Sequence, residues 1–215
     1  MIEILDENNF FLVLFKPQGV SVHNQSPSLV EFLTKNKRPL HFVNRLDQET
    51  SGLMVIAQKP EYHNELSLAL EQGSKIYRAL LRGTWKKTEA NLILNWPLTD
   101  KAEGRRNPQG ESAQRKPCET HLQIVRSNTY FSEVLAEIKT GRQHQIRKHM
   151  ALLKQPIVGD KRYNDDAYNS RIAEMYKKAR TDSSRLFLQA EKTSFLFKNQ
   201  KYSYEKPFHL NEFFI

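Results

Sequence analysis

The apolar residues of this chain fall in short runs, and the longest, "FFLVLF", ends at Phe15. A helix that crosses a bilayer needs about 20 such residues. Short runs bounded by turn residues read as strands. "IEILDENNFFLVLFKPQGVSVHN" predicts two extended pieces around the Asp6–Asn9 cluster, the second ended by Lys16, Pro17, Gln18 and Gly19. "GLMVIAQ", "SKIYRALLRGTW", "ETHLQIVRS", "YFSEVLAEIKT", "RLFLQA" and "KTSFLFKNQKYSYEKPF" predict further strands. Helical spacing occurs in "SPSLVEFLTKNK", where Leu29, Phe32 and Leu33 share a face and Ser26 or Ser28 can cap. It recurs in "PEYHNELSLALEQG", started by Pro60 and ended by Gly73, with Tyr62, Leu66, Ala69 and Leu70 on one face. "HQIRKHMALLK" predicts a third helix that stops before Pro156, and the basic stretch Arg171 to Arg180 a fourth. The expected class is α+β: one mixed, mostly antiparallel sheet flanked by helices, a single domain over residues 1–215. No repeat appears. Residues 97–117, "PLTDKAEGRRNPQGESAQRKP", are expected to form a long, mobile basic loop.

Thirty-three Lys and Arg against 24 Asp and Glu give a net charge of +9, which favours polyanions through phosphate neutralisation. A single cysteine, Cys118, excludes an internal disulfide framework and any cysteine-based zinc cluster, and fits a reducing cytoplasm. The opening "MIEILDENN" is acidic and lacks the layout of a secretory signal. The chain is therefore expected to be cytoplasmic and away from membranes.

Asp47, in "HFVNRLDQETSGLMVIAQ", has two readings. Asp residues commonly shape turns by bonding their own backbone. Here apolar segments close on the loop from both sides, and burial disfavours a charged carboxylate unless a cation is at hand. Arg45 is near in sequence, but the better partner is distant. "TGRQHQIRKHM" supplies one: Arg142, Arg147 and Lys148 cluster at a helix start, and Arg147 sits between apolar Ile146 and Met150. An Asp–Arg pair about 4 Å apart in a partly shielded site gains roughly 4 kcal/mol of Coulomb attraction before desolvation. Arg142 and Lys148 suit a solvated face that reaches phosphate.

Other chemistries lack their residue patterns. His144 and His149 stand five apart, which does not place both on one helical face, and no Glu follows His144 as zinc proteases require. The strained Gly-x-Ser-x-Gly turn of serine hydrolases and the Gly-rich phosphate loop of nucleotide-binding proteins are missing.

"NRLDQETSG" resembles the His-Arg-Leu-Asp-x-x-Thr-Ser-Gly signature of RluA-type pseudouridine synthases. "FKPQGVSVH", "SKIYRALLRG", "TGRQHQIRKH" and "PIVGDKRY" resemble that family's other segments in order and approximate spacing. The resemblance implies isomerisation of uridine within ribosomal RNA, transfer RNA or both. The glycosidic bond to nitrogen breaks, the uracil turns, and its fifth ring carbon bonds to the ribose. It implies Asp47 as the essential catalytic group, as nucleophile or as base on the ribose. Tyr77 would stack on the target base, Arg147 would pair with Asp47, Ile146 would pack near the base, and Arg45 would line the site. Arg142, Lys148, Arg105 and Arg106 are candidate RNA contacts, and the 97–117 and 171–180 stretches would select the substrate. No metal, cofactor or obligate protein partner is expected, and the chain is expected to be monomeric.

Asn44 stands where the family usually has His, and Gln189 stands where Leu-x-Leu-His-Ala is common. Altered hydrogen bonding around the site is expected there, with activity retained. The rival is a catalytically silent RNA-binding or RNA-chaperone protein on the same fold. The signature begins near the start of the chain, so a compact member without an N-terminal RNA-binding domain is expected.

Overall fold

The computed structural model describes residues 2–23, 25–177 and 185–214. In chain order its elements are β1 (Glu3–Glu7), β2 (Phe11–Lys16), α1 (Leu29–Lys35), β3 (His41–Phe42), β4 (Ser51–Ala57), α2 (Pro60–Gln72), β5 (Ser74–Arg82), β6 (Asn91–Leu94), β7 (Thr120–Ser127), β8 (Phe131–Ile138), α3 (Gln145–Leu152), α4 (Asp166–Lys177), β9 (Leu188–Phe197) and β10 (Gln200–Glu205). Mostly antiparallel strands with helices are the α+β class that the sequence predicts. The chain divides into two compact units, Met1–Ile76 with Gln189–Phe208, and Tyr77–Leu188 with His209–Ile215.

In the first unit the strand order is β1-β2-β4-β9, with β3 added to β4 and β10 to β9. Asn8 makes the first turn, its side-chain oxygen accepting the Phe10 and Phe11 N–H groups. Alternate residues of β2 and β4 (Phe11, Val13, Leu53, Val55 and Ala57) pack with Leu66, Ala69 and Leu70 of α2 and with Phe195 and Phe197. That is the period of two meeting the helical period across one core. Ser28, not Ser26, caps α1, in a reciprocal capping box with Glu31. β2 pairs with β4 along its whole length, from Phe11 opposite Ala57 to Lys16 opposite Gly52. The opposite edge of β4 is divided: β3 takes Ile56 and Ala57, and β9 runs parallel to Ser51 and Gly52.

Gly52 is the tight point of that parallel contact. Its φ of +137° suits glycine, and a Cβ there would lie 2.5 Å from the Ala190 backbone. Gly52→Ala is expected to destabilise the protein by about 1–3 kcal/mol, the usual range for overpacking, read from urea unfolding midpoints.

In the second unit the order is β5-β8-β7-β6. Phe131 on β8 meets Phe213 edge-on at 5.3 Å, and Phe213 meets Phe187 at 4.9 Å, so the chain's last turn closes this core. Three expectations change here. "RLFLQA" and "KTSFLF" form one strand, β9, because no turn residue separates them. β3 and β6 are strands that the sequence did not announce. α4 begins at Asp166, ahead of the predicted Arg171, and residues 178–180 of that prediction lie outside the described residues.

Candidate active site

Asp47 lies between β3 and β4, in a turn that backbone atoms close: the Thr50 N–H donates to the Asp47 carbonyl at 3.0 Å. Leu46 and Thr50 are buried on either side, Asp47 is half-buried and Arg45 is exposed. The main chain thus closes the turn.

What fastens the turn is Lys16, at the end of β2. Its side chain is fully buried, and Nζ donates to the carbonyls of Pro17 (3.1 Å), Val20 (2.9 Å) and Gln48 (3.2 Å). Gln48 and Gly19 also exchange bonds, Gly19 N–H to the Gln48 carbonyl at 2.9 Å and Gln48 Nε2 to the Gly19 carbonyl at 3.1 Å. The Lys-Pro-x-Gly turn and the Asp47 turn are therefore stitched through Gln48. Burial lowers the Lys16 pKa from 10.5 to about 8, and the Asp47 charge opposes that shift. Nothing in the sequence alone gives Lys16 this role.

The Lys16 shift makes stability depend on pH. Below pH 8 the lysine is charged both folded and unfolded, so the cost of burying the ammonium is present in full. Between about pH 8 and 10.5 the unfolded chain holds more protons, and stability rises with pH. Relative to Lys16→Met, the wild type is expected to gain roughly 3 kcal/mol over that window. Urea unfolding of both proteins at pH 7 and 10.5 checks it; a difference independent of pH contradicts it.

The two departures from the family pattern have structural work in the first unit. Asn44 Oδ1 accepts the Val55 N–H of β4 at 2.9 Å. Gln189 Oε1 accepts from the Ser51 hydroxyl at 3.3 Å, and its Nε2 donates to the Lys206 carbonyl at 2.7 Å.

The remaining candidates belong to the second unit. Tyr77 is half-buried on β5, and Ile146 is buried on α3. Arg147, also on α3, is 1% exposed and is gripped by Asp160: Nε to Oδ2 at 2.8 Å and Nη2 to Oδ1 at 2.9 Å. Asp160 Oδ1 further accepts the N–H groups of Arg162 (2.9 Å) and Tyr163 (3.0 Å). The turn that presents Asp160 depends on Gly159, at φ +77°, where a Cβ would lie 1.7 Å from the Arg185 carbonyl oxygen. The Tyr163 ring faces the Arg147 guanidinium at 5.5 Å, and its hydroxyl is 3.1 Å from His144 Nδ1. Burial first, then the Arg147 charge, pushes the His144 pKa from 6.5 down to about 3, so this ring is neutral at physiological pH. Asp160 belongs to "PIVGDKRY", where nothing in the sequence alone marks it as the partner of Arg147.

Of the two other cations of "TGRQHQIRKH", the fully buried Lys148 corrects an expectation and the partly exposed Arg142 does not. Both were placed on a solvated, phosphate-reaching face. Lys148 is fully buried, with Nζ 2.8 Å from the Thr99 carbonyl. Arg142 turns to the Pro117 carbonyl (Nη2 at 3.3 Å) and to Asp100 (3.5 Å). Arg105 and Arg106 are exposed, and Arg105 Nη1 also donates to the Asn164 carbonyl at 3.4 Å. His149 is buried, bonded to Thr120 Oγ1 at 2.9 Å and to the Trp96 carbonyl at 3.0 Å, and burial lowers its pKa.

Charge is divided unevenly between the units. The first holds 11 Lys and Arg and 11 Asp and Glu; the second holds 22 and 13, so the whole +9 resides there. Among the described residues no helix is long and apolar enough to cross a membrane.

The fold is that of pseudouridine synthase domains. It is similar to human RNA pseudouridylate synthase domain containing 4 (TM-score 0.78, 20% identity, 97% of this chain and 89% of that one) and to human RNA pseudouridylate synthase domain containing 1 (TM-score 0.72, 22% identity, 96% and 83%). The family model for RNA pseudouridylate synthase matches residues 10–152, and the chain belongs to that family. Among its relatives are the ribosomal large subunit pseudouridine synthases C of Escherichia coli K12 (34% identity over 204 residues, 89% of this chain and 61% of that protein) and Haemophilus ducreyi (32% over 202 residues, 89% and 60%). The chain spans about three-fifths of the length of these relatives.

Proposed function

We propose that the chain isomerises specific uridines to pseudouridine in structured RNA, acting as one catalytic domain in the cytoplasm without metal or cofactor. The observation that carries this reading is the Asp47 turn: a half-buried carboxylate in the family's signature, on a turn that the backbone and buried Lys16 hold in place. Asp47 attacks as nucleophile or removes a proton from the ribose; both routes need it ionised. The Lys16 ammonium favours that state, and Arg147 is assigned as the partner of Asp47. The N1–ribose bond breaks, the uracil turns, C5 bonds to the ribose, and the proton displaced from C5 is lost as N1 gains one. The product is an isomer.

Extruding the uridine costs a few kcal/mol of unstacking. Stacking on Tyr77 returns roughly 1–3 kcal/mol, and phosphate contacts of the basic unit contribute the rest. Ile146 packs near the base and Arg45 lines the site. The relatives' names favour large-subunit ribosomal RNA as substrate, with transfer RNA the second candidate, and the active form is a monomer. Asn44 and Gln189 bond to backbone and to a strand hydroxyl, so their presence is no argument for a silent RNA-binding protein. The test is to incubate the purified protein with uridine-labelled ribosomal RNA, without added metal or nucleotide, and assay pseudouridine. Product is expected; binding without product would establish the silent alternative.

A further inference from the structure

We propose that Lys148 is a positioning residue that holds residues 97–117 as a preformed arm for RNA phosphates, so the cations of the α3 start serve RNA through that loop. The inference rests on the reading of RNA as substrate and concerns how the substrate is held.

The loop was expected to be mobile, yet it is bound at both ends and in the middle. Leu98 and Lys116 exchange N–H···O bonds at 3.0 and 2.9 Å, and the Thr99 N–H reaches the Gln109 carbonyl at 3.1 Å. From α3, Lys148 donates to the Thr99 carbonyl at 2.8 Å and approaches Thr99 Oγ1 at 3.4 Å. That hydroxyl donates in turn to Glu103 at 2.8 Å. Arg142 bonds the Pro117 carbonyl, and Arg162 Nη1 bonds the Ala102 carbonyl at 3.0 Å. An ammonium withdrawn from water is costly unless oxygens surround it. Thr99 offers its carbonyl and its hydroxyl for that purpose, and a three-donor point charge can take both. The consequence lies outside: Lys101, Arg105, Arg106 and Lys116 are exposed on the framed loop, in the unit that carries the net charge, with Lys116 paired to Asp100 at 2.9 Å and Arg105 reaching the Asn164 carbonyl at 3.4 Å.

An arm ordered before binding loses less entropy on contact with RNA than one ordered by it. Lys148→Met keeps the aliphatic stem and removes the charge. The expected result is tryptic cleavage within residues 101–106 about tenfold faster. A large-subunit ribosomal RNA transcript should bind roughly fivefold or more weakly, while the single-turnover rate at saturating RNA changes by less than about threefold. Arg105→Ala/Arg106→Ala, on exposed positions that do not threaten folding, should weaken binding and flatten the log-affinity against log-salt slope by roughly 1.4–1.8. Wild-type protection and affinity in Lys148→Met, or a wild-type salt slope in the double variant, would overturn the proposal. If Lys148→Met does not fold, the double variant decides. Neither readout needs turnover, so a wild type that shows both effects but makes no pseudouridine would sink the catalytic reading alone.

Discussion

Asp47→Asn is expected to lower pseudouridine formation on the order of 10³-fold or more, with RNA affinity within about twofold of wild type. The amide matches the carboxylate in size, and the Thr50 N–H bond to the Asp47 carbonyl, which closes the turn, is kept. The substitution therefore removes charge and leaves architecture. Single-turnover assays on ribosomal RNA, with a filter-binding control, read the two quantities separately. Wild-type turnover would mean that another group performs the chemistry.

Arg147→Ala is expected to be the most damaging change in the second unit. It strands the Asp160 carboxylate, which is buried with it. Removing one partner of a buried pair costs roughly 3–5 kcal/mol, because the remaining charge cannot return to water. Among the described residues, Asp160 then keeps the backbone donors of Arg162 and Tyr163. Turnover should fall as well, since the proposed pairing that keeps Asp47 ionised goes with the guanidinium. The two effects separate in Arg147→Ala/Asp160→Asn, where no charge is stranded. Stability should largely return and turnover should not. Urea unfolding and turnover measured across neutral pH check both, and full activity in the single variant would remove the proposed pairing.

Much of the framework was legible along the chain. β2, β4 and α2 follow from alternation and helical spacing, and Pro60 and Gly73 mark the ends of α2 as local backbone chemistry dictates. β6 was not legible because it is four residues long with two exposed, too little alternation to stand out from a loop. β3, with two residues, carries no period at all. At the site, Arg147 among apolar neighbours implied a carboxylate partner, and one is present. It is Asp160, thirteen residues on, brought round by the Gly159 turn. The pairing of Arg147 with Asp47 remains part of the proposal.

The cations show where reading along the chain stops. Lys16 and Lys148 look alike in sequence to Lys101 and Lys116, yet the first two are fully buried against backbone carbonyls and the last two are exposed. The sequence by itself determined the class, the order of the main elements and the identity of the chemical groups, because periodicity, turn residues and motif spacing are local properties. Only the tertiary structure decided which charges are buried. An ammonium or guanidinium goes inside where folding gathers enough oxygens to replace its water, and those oxygens come from distant parts of the chain.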